Sequence, residues 1–154
     1  MLRTAQEAYF VAQEMEKRAI RLYERAAMLF GGDDIALARL LSSLTGDERE
    51  HLCAFTRMGE GVTPGGEGSR VLSAGAADIL FAGGLVEADR ERAFDSPADF
   101  LRYAAREEET SAARYRALAA EAVGAEAADA LERIAREEDE HLHALRERLR
   151  EYEK

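Results

Sequence analysis

The chain contains one cysteine, Cys53, only two prolines and no tryptophan among its 154 residues. A single cysteine excludes a disulfide within the chain and any metal site built from four cysteines. The scarcity of proline, together with abundant Ala, Glu, Arg and Leu, indicates an all-α protein. No uncharged run is long enough to span a bilayer, and the first seven residues contain no apolar signal core. We therefore expect a cytoplasmic protein.

Positive charge is also scarce, because the formal net charge is -10 at pH 7. Nucleic acids and anionic membranes bind proteins that present a positive surface, so neither is expected as a partner. The length is that of one domain, residues 1–154, with enough chain to bury a sizeable core.

Apolar residues recur at steps of three and four in four long stretches, which predicts amphipathic helices. The predicted helices span about 4–30, 35–58, 97–122 and 126–152. Gly31 and Gly32 are typical of a helix C-terminus. Ser96 and Pro97 are typical of an N-cap followed by a first-turn proline.

A long crossover, residues 59–95, separates the first two predicted helices from the last two. It opens with a Gly-rich segment, residues 59–68, which we interpret as a connecting loop. Residues 73–82 are predicted to form a short helix. Two helical hairpins joined by one long crossover is a known connectivity of four-helix bundles.

The motif Glu-x-x-His occurs twice, as Glu48 with His51 and as Glu138 with His141. Residues three apart lie on the same face of a helix. That face is apolar in both helices, with Leu41, Leu44, Leu52 and Phe55 around the first motif and Leu131, Ile134, Leu142 and Leu145 around the second. An ionised carboxylate buried alone is so costly that it must be neutralised, paired with a cation or bound to a metal.

The two halves of the chain repeat the same pattern. A shift of 92 residues relates Glu16 to Glu108 and Tyr23 to Tyr115, and a shift of 90 residues relates the two Glu-x-x-His motifs. Glu16 and Glu108 also interrupt stripes of apolar and small residues. The repeat indicates an internal duplication whose halves are related by a pseudo-two-fold axis.

Six side chains are therefore candidate metal ligands. They are Glu16, Glu48, His51, Glu108, Glu138 and His141. One glutamate from each of two helices plus Glu-x-x-His from each of the other two is a dinuclear arrangement found in helical bundles. Four carboxylates balance the charge of two divalent cations, and mixed oxygen and nitrogen ligation favours iron or manganese. We expect Glu48 and Glu138 to bridge the two metals.

Other interpretations of these residues remain open. Asp47 and Glu137 lie four residues before the histidines and could reach the same face. The acidic residues could instead form a solvated face, or a vestigial site that binds no metal. Tyr23 and Tyr115 could hydrogen-bond the ligands, or they could be ordinary core aromatics.

Residues near the motifs receive structural interpretations. His143 and Cys53 each lie two residues past a motif histidine, about 200° around the helix. We interpret His143 as a surface residue and Cys53 as a small structural residue. Met15, Met28 and Met58 are interpreted as core packing.

The chain resembles the rubrerythrin branch of the ferritin-like superfamily. The matching residues are 15–23, 47–52 and 137–142, with Glu108 and Tyr115. The resemblance covers all four long helices and leaves only the crossover outside. It implies a ferritin-like four-helix bundle with two iron ions in a non-haem centre that reduces hydrogen peroxide or dioxygen in oxidative-stress defence.

The sequence differs from that family in two respects. Rubrerythrins often carry a C-terminal rubredoxin domain, and this sequence ends at Lys154 with no rubredoxin domain. The resemblance therefore implies a separate electron donor, which is rubredoxin-like or another reductase. Because such bundles commonly dimerise, we also expect a homodimer. Rubrerythrins also have a further glutamate where this chain has Ser111. The six-ligand set is closer to a bacterioferritin or ferritin-type centre, so an iron-handling ferroxidase is the alternative function.

Overall fold

The computed structural model describes residues 5–60, 84–122 and 124–154, with side-chain environments from residue 7 onward. These residues form helices and, within the described ranges, no strand, which confirms the all-α prediction for that part of the chain. The helices are α1 (Ala5–Phe30), α2 (Ile35–Glu60), α3 (Leu85–Arg90), α4 (Pro97–Glu121) and α5 (Ala125–Tyr152). No helix among them is both long enough and apolar enough to cross a membrane.

The four long helices end within two residues of the predicted positions. The largest difference is at α2, which continues past Met58 to Glu60. Its last turn lies against α1, since a Cβ on Gly59 would come 3.2 Å from the side-chain amide nitrogen of Gln13. The predicted short helix at 73–82 lies outside the described residues.

The short helix α3 lies inside the predicted crossover and was not expected from the sequence. Six residues are too few to form a stable helix alone, so it depends on tertiary contacts. Ala88 supplies part of them, because its side chain is fully buried in the apolar core and α3 packs against α1.

The long helices pack mainly as two pairs, α1 with α2 and α4 with α5. The second pair begins as predicted at Ser96, whose hydroxyl accepts a hydrogen bond from the Asp99 backbone N–H at 3.1 Å. The same hydroxyl donates to the Asp99 carboxylate at 2.8 Å, and Pro97 occupies the first helical position. These contacts fix the start of α4 as the chain leaves the crossover.

Two apolar clusters form the core. The Phe55 cluster contains Ala8, Tyr9, Val11, Ala12, Met15, Phe55, Tyr115, Leu118, Ala119, Ala127, Leu131, Ile134 and Ala135. The Phe100 cluster contains Leu22, Tyr23, Ala26, Leu37, Leu41, Leu44, Ala88, Ala93, Phe100, Leu101, Tyr103, Ala104, Ala105 and Leu145. On each long helix the predicted metal ligands lie between residues of one cluster and residues of the other. The polar layer is therefore bounded by apolar side chains on both sides.

Three methionines were predicted to pack in the core, and one prediction is wrong. Met15 is buried and Met58 packs against the Phe55 cluster, whereas Met28 is 82% exposed. Met28 follows the buried Ala26 by two residues, so it points about 200° away from the inward face. Cys53 and His143 are both exposed for the same geometric reason.

Asp34 connects the start of α2 to the end of α5. Its carboxylate accepts a hydrogen bond from the Leu37 backbone N–H at 3.0 Å, which caps α2. The same carboxylate accepts hydrogen bonds from the Tyr152 hydroxyl and from Arg148, the latter at 2.6 Å. The Tyr152, Leu37 and Arg148 donors together lower the pKa of Asp34 to about 2.

We expect Asp34→Ala to lower the free energy of unfolding at pH 7 by about 1–2 kcal/mol, because it removes the helix cap. The Asp34 pKa is lower in the folded chain than the ordinary value of about 3.9, so the carboxylate stabilises the fold above pH 4. That contribution is lost as the pH falls toward 2. Urea denaturation at a series of pH values from 7 to 2.5 should show that the difference in unfolding free energy between parent and variant decreases as the pH falls. The control is Asp33→Asn, a change at the exposed neighbouring residue. If the unfolding free energies of the parent and of Asp34→Ala differ by the same amount at every pH, this role of Asp34 is contradicted.

Candidate metal centre

Helices α1 and α4 each place one glutamate in the interior. Glu16 is 1% exposed and Glu108 is 3% exposed. Small buried residues lie one turn away on the same faces, Ala12 beside Glu16 and Ala112 beside Glu108. These small residues leave space between the helices for carboxylates and a ligand.

Helices α2 and α5 each place a Glu-x-x-His pair in the same interior layer. Glu48, His51, Glu138 and His141 are all at most 5% exposed. The two imidazole rings are stacked, with centroids 5.9 Å apart and an angle of 23° between their planes. The leucine stripe of each helix therefore predicted the inward register correctly.

The six predicted ligands lie together in two overlapping groups. The first group contains Glu16, Glu48, His51 and Glu138, and the second contains Glu48, Glu108, Glu138 and His141. Within each group, one potential ligand atom from every residue lies within 4.8 Å of the others. Glu48 and Glu138 belong to both groups, which is the position required of a bridging carboxylate.

The Nδ1 atoms of both histidines face the centre. His51 Nδ1 lies 3.2 Å from Glu138 Oε1 and 3.5 Å from Glu16 Oε1. His141 Nδ1 lies 2.9 Å from Glu48 Oε1. Each imidazole can therefore offer a lone pair from Nδ1 to a cation between the helices.

Several of these inward atoms have no hydrogen-bond partner among the described residues. They are Glu16 Oε2, both carboxylate oxygens of Glu48, Glu108 Oε2, Glu138 Oε1, His51 Nδ1 and His141 Nδ1. The short approaches between them lack hydrogen-bond geometry. Buried polar atoms without partners are costly, and oxygen and nitrogen atoms converging on one region can be satisfied by metal ions. The donor set therefore fits one or more bound metal ions.

The outward nitrogens of both histidines contact carboxylates of the opposite half of the chain. Nε2 of His51 contacts the carboxylate of Glu137, and Nε2 of His141 lies 3.0 Å from Asp47 Oδ2. A carboxylate behind a metal-binding histidine fixes the tautomer and the ring orientation. Asp47 and Glu137 are about half-exposed and contact the histidines from outside, so they are not alternatives to Glu48 and Glu138 in the interior.

This role of Asp47 and Glu137 was missed by reasoning from the sequence. A signal for it exists, because the two acids are related by the same 90-residue shift as the histidines. Spacing along the helix places Asp47 near His51 and Glu137 near His141. In the folded chain Asp47 instead contacts His141, and Glu137 contacts His51.

The two tyrosines make a matching exchange. The Tyr23 hydroxyl donates to Glu108 Oε1, and the Tyr115 hydroxyl donates to Glu16 Oε1 at 2.6 Å. Burial, followed by the nearby Glu108 and Glu16 carboxylates, raises the pKa of each tyrosine well above its usual value, so both remain protonated donors. Both tyrosines therefore hold a predicted ligand and are more than core aromatics.

The interior layer shifts the protonation of its own members. Burial, followed by the proximity of other carboxylates, raises the pKa of Glu16 and of Glu138 well above the usual range. Burial would lower the pKa of the histidines, but the surrounding carboxylates outweigh it and raise the pKa of His51 strongly and that of His141 to about 11. Burial would raise the pKa of Glu48, and its contacts with Glu16 and both histidines lower it instead. Without cations, the layer retains protons at neutral pH.

We expect Asp47→Asn combined with Glu137→Gln to weaken divalent-metal binding about tenfold, because both histidines lose their orienting carboxylates. Competition with a chromogenic chelator would measure the affinity. The control is Glu50→Gln with Glu140→Gln, two exposed acids on the same helices. Complete loss of metal binding in the first variant would instead make Asp47 and Glu137 direct ligands.

We also expect metal binding at neutral pH to release roughly two protons or more per chain, because the raised pKa of His51 and of His141 keeps both imidazoles protonated without metal. Since protons compete with the cation at groups whose pKa is raised, the metal affinity should increase as the pH rises. Isothermal titration calorimetry in buffers of different ionisation enthalpy measures the number released. Binding enthalpies that do not depend on the buffer would contradict the protonated metal-free layer.

Comparisons of the chain with protein-family models, curated proteins and solved structures found no match. The assignment of the site therefore depends on its own geometry. That geometry gives a buried cluster of four glutamates and two histidines that could hold metal ions.

Proposed function

We propose that this chain is a ferritin-like four-helix-bundle protein with a carboxylate-bridged di-iron centre that reduces hydrogen peroxide or dioxygen, as the resemblance to rubrerythrins implies. One observation carries the proposal, namely two overlapping ligand groups that share Glu48 and Glu138. Two hairpins of long helices around a shared polar layer support the bundle architecture.

Charge and ligand chemistry support two divalent ions. Four carboxylates and two neutral imidazoles carry a charge that two divalent cations cancel, which offsets the cost of burying the carboxylates. Oxygen and nitrogen donors without a thiolate favour iron or manganese. Among these, iron is proposed because its two accessible oxidation states allow electron transfer, whereas manganese remains the alternative metal.

When bound, a pair of ferrous ions supplies the two electrons that reduce one peroxide, with two protons, to two waters. The side chains of the protein position the reaction. The Tyr23 and Tyr115 hydroxyls hold Glu108 and Glu16, and the outer carboxylates orient the two imidazoles. The Phe55 and Phe100 clusters exclude bulk water from both sides of the layer.

The reduced state must be restored after each turnover. We propose a separate electron donor of the rubredoxin or reductase type, as the resemblance to rubrerythrins implies. Oxidative-stress defence is the role that we propose for a chain that consumes peroxide.

The second candidate is an iron-handling ferroxidase, favoured by one feature of α4. Ser111 lies one turn after Glu108, and its side chain has no carboxylate with which to supply a seventh ligand. A ferroxidase would consume ferrous iron with dioxygen and pass the ferric product to a store. Mass in solution distinguishes the two, because a homodimer favours the enzyme and a large hollow assembly favours storage.

We expect the ferrous-loaded protein to be oxidised rapidly by hydrogen peroxide, and Glu48→Ala with Glu138→Ala to abolish the reaction, because both ion positions lose shared ligands. Stopped-flow absorbance measures the rate. The matched control is Glu50→Ala with Glu140→Ala, which removes two exposed carboxylates from the same helices. Equal rates in the parent and the Glu48 and Glu138 variant would overturn the assignment, and faster oxidation by dioxygen than by peroxide would favour the ferroxidase.

A further inference from the structure

A small cavity lies between α1 and α4, and Gly84 is among the residues that line it. Its volume is about 30 Å³, which is enough for one or two water-sized molecules and no more. Glu108 and Tyr23, the hydrogen-bonded pair described above, form part of its wall. The cavity between α1 and α4 therefore extends to Glu108, a predicted metal ligand.

The two walls of the cavity differ at three positions that the internal repeat makes equivalent. A shift of 92 residues pairs Met15 with Glu107, Ala19 with Ser111, and Leu22 with Arg114, and all six line the cavity. In each pair the α1 residue is apolar and the α4 residue is polar. These departures from the repeat add hydrogen-bonding groups from α4 to those that Arg18 and Tyr23 of α1 supply.

Charged groups concentrate at this cavity. Arg18 lines it together with Arg114 and Glu107. Two arginines, a glutamate and a serine therefore line a space of one or two waters.

We propose that this cavity admits hydrogen peroxide to the centre and excludes larger peroxides, with Ser111 and Arg114 as specificity-determining residues. The inference rests on the proposed peroxide chemistry and adds the route and the size limit to it. Hydrogen peroxide has two heavy atoms and both donates and accepts hydrogen bonds, which suits a volume of about 30 Å³ lined by polar side chains. Dioxygen gains little from such a lining, and an organic hydroperoxide exceeds the volume.

Ser111 is the point at which the route can be closed. It is half-buried, it lies one turn past Glu108 on the same face of α4, and Ala19 faces it as its equivalent in the repeat. Both residues are small, so a larger side chain at either position fills the cavity without replacing a predicted ligand.

We expect Ser111→Leu and Ala19→Leu each to slow oxidation of the ferrous-loaded protein by hydrogen peroxide about tenfold, with unchanged metal content. The control is Thr110→Leu, which adds an apolar side chain to the same turn of α4 at an exposed position and should stay within about twofold of the parent. The parent should prefer hydrogen peroxide to tert-butyl hydroperoxide by about 100-fold. The two variants fill the cavity from different helices, Ser111→Leu from α4 and Ala19→Leu from α1. If one of them does not fold, the other still tests the proposal.

A second measurement does not depend on turnover. Metal-free and zinc(II)-loaded crystals soaked in hydrogen peroxide should show two-atom density beside Ser111 in the parent and none in Ser111→Leu. If crystals show peroxide in the cavity but peroxide never oxidises the ferrous-loaded parent in solution, the proposed function is rejected and the binding site is retained. Filling variants that react as fast as the parent, or a parent cavity that contains only water, would overturn the access route.

Discussion

The cost of burying charge is the constraint on which this structure depends. Four glutamates and two histidines lie with at most 5% of their surface exposed, between two apolar clusters. An isolated ion in such surroundings costs several kcal/mol even after relaxation. Burial raises the pKa of Glu16 and Glu138, and the surrounding carboxylates raise the pKa of His141, so bound protons relieve part of that cost. Cations at the unpartnered oxygen and nitrogen atoms would relieve more of it, because those atoms already converge.

The two halves of the chain complete each other's ligands. Tyrosine from one half holds the glutamate of the other, and the outer acid of one half contacts the histidine of the other. Neither hairpin alone would contain an oriented site. Joining the halves in one chain fixes both sets of contacts, and the departures from the repeat at Glu107, Ser111 and Arg114 give one side of the centre a polar cavity.

The sequence predicted the long helices and the six interior side chains because both follow from helical period. Leu44 and Leu52 define the face on which Glu48 must lie, and the repeat transfers the argument to Glu138. Contacts between helices do not follow from period, so the pairing of Asp47 with His141 required the folded chain. The same limit applies to α3, whose six residues fold against other helices. Met28 is a different case, because its apolar character suggested burial although helical period places it on the exposed face.

Metal analysis of the purified protein, combined with anomalous diffraction at the iron edge, tests the central claim most directly. The account predicts two metal ions per chain, one among Glu16, Glu48, His51 and Glu138 and the other among Glu48, Glu108, Glu138 and His141. A protein that binds no divalent metal under any loading condition, with these side chains turned to solvent or paired with arginines around an empty centre, would contradict it.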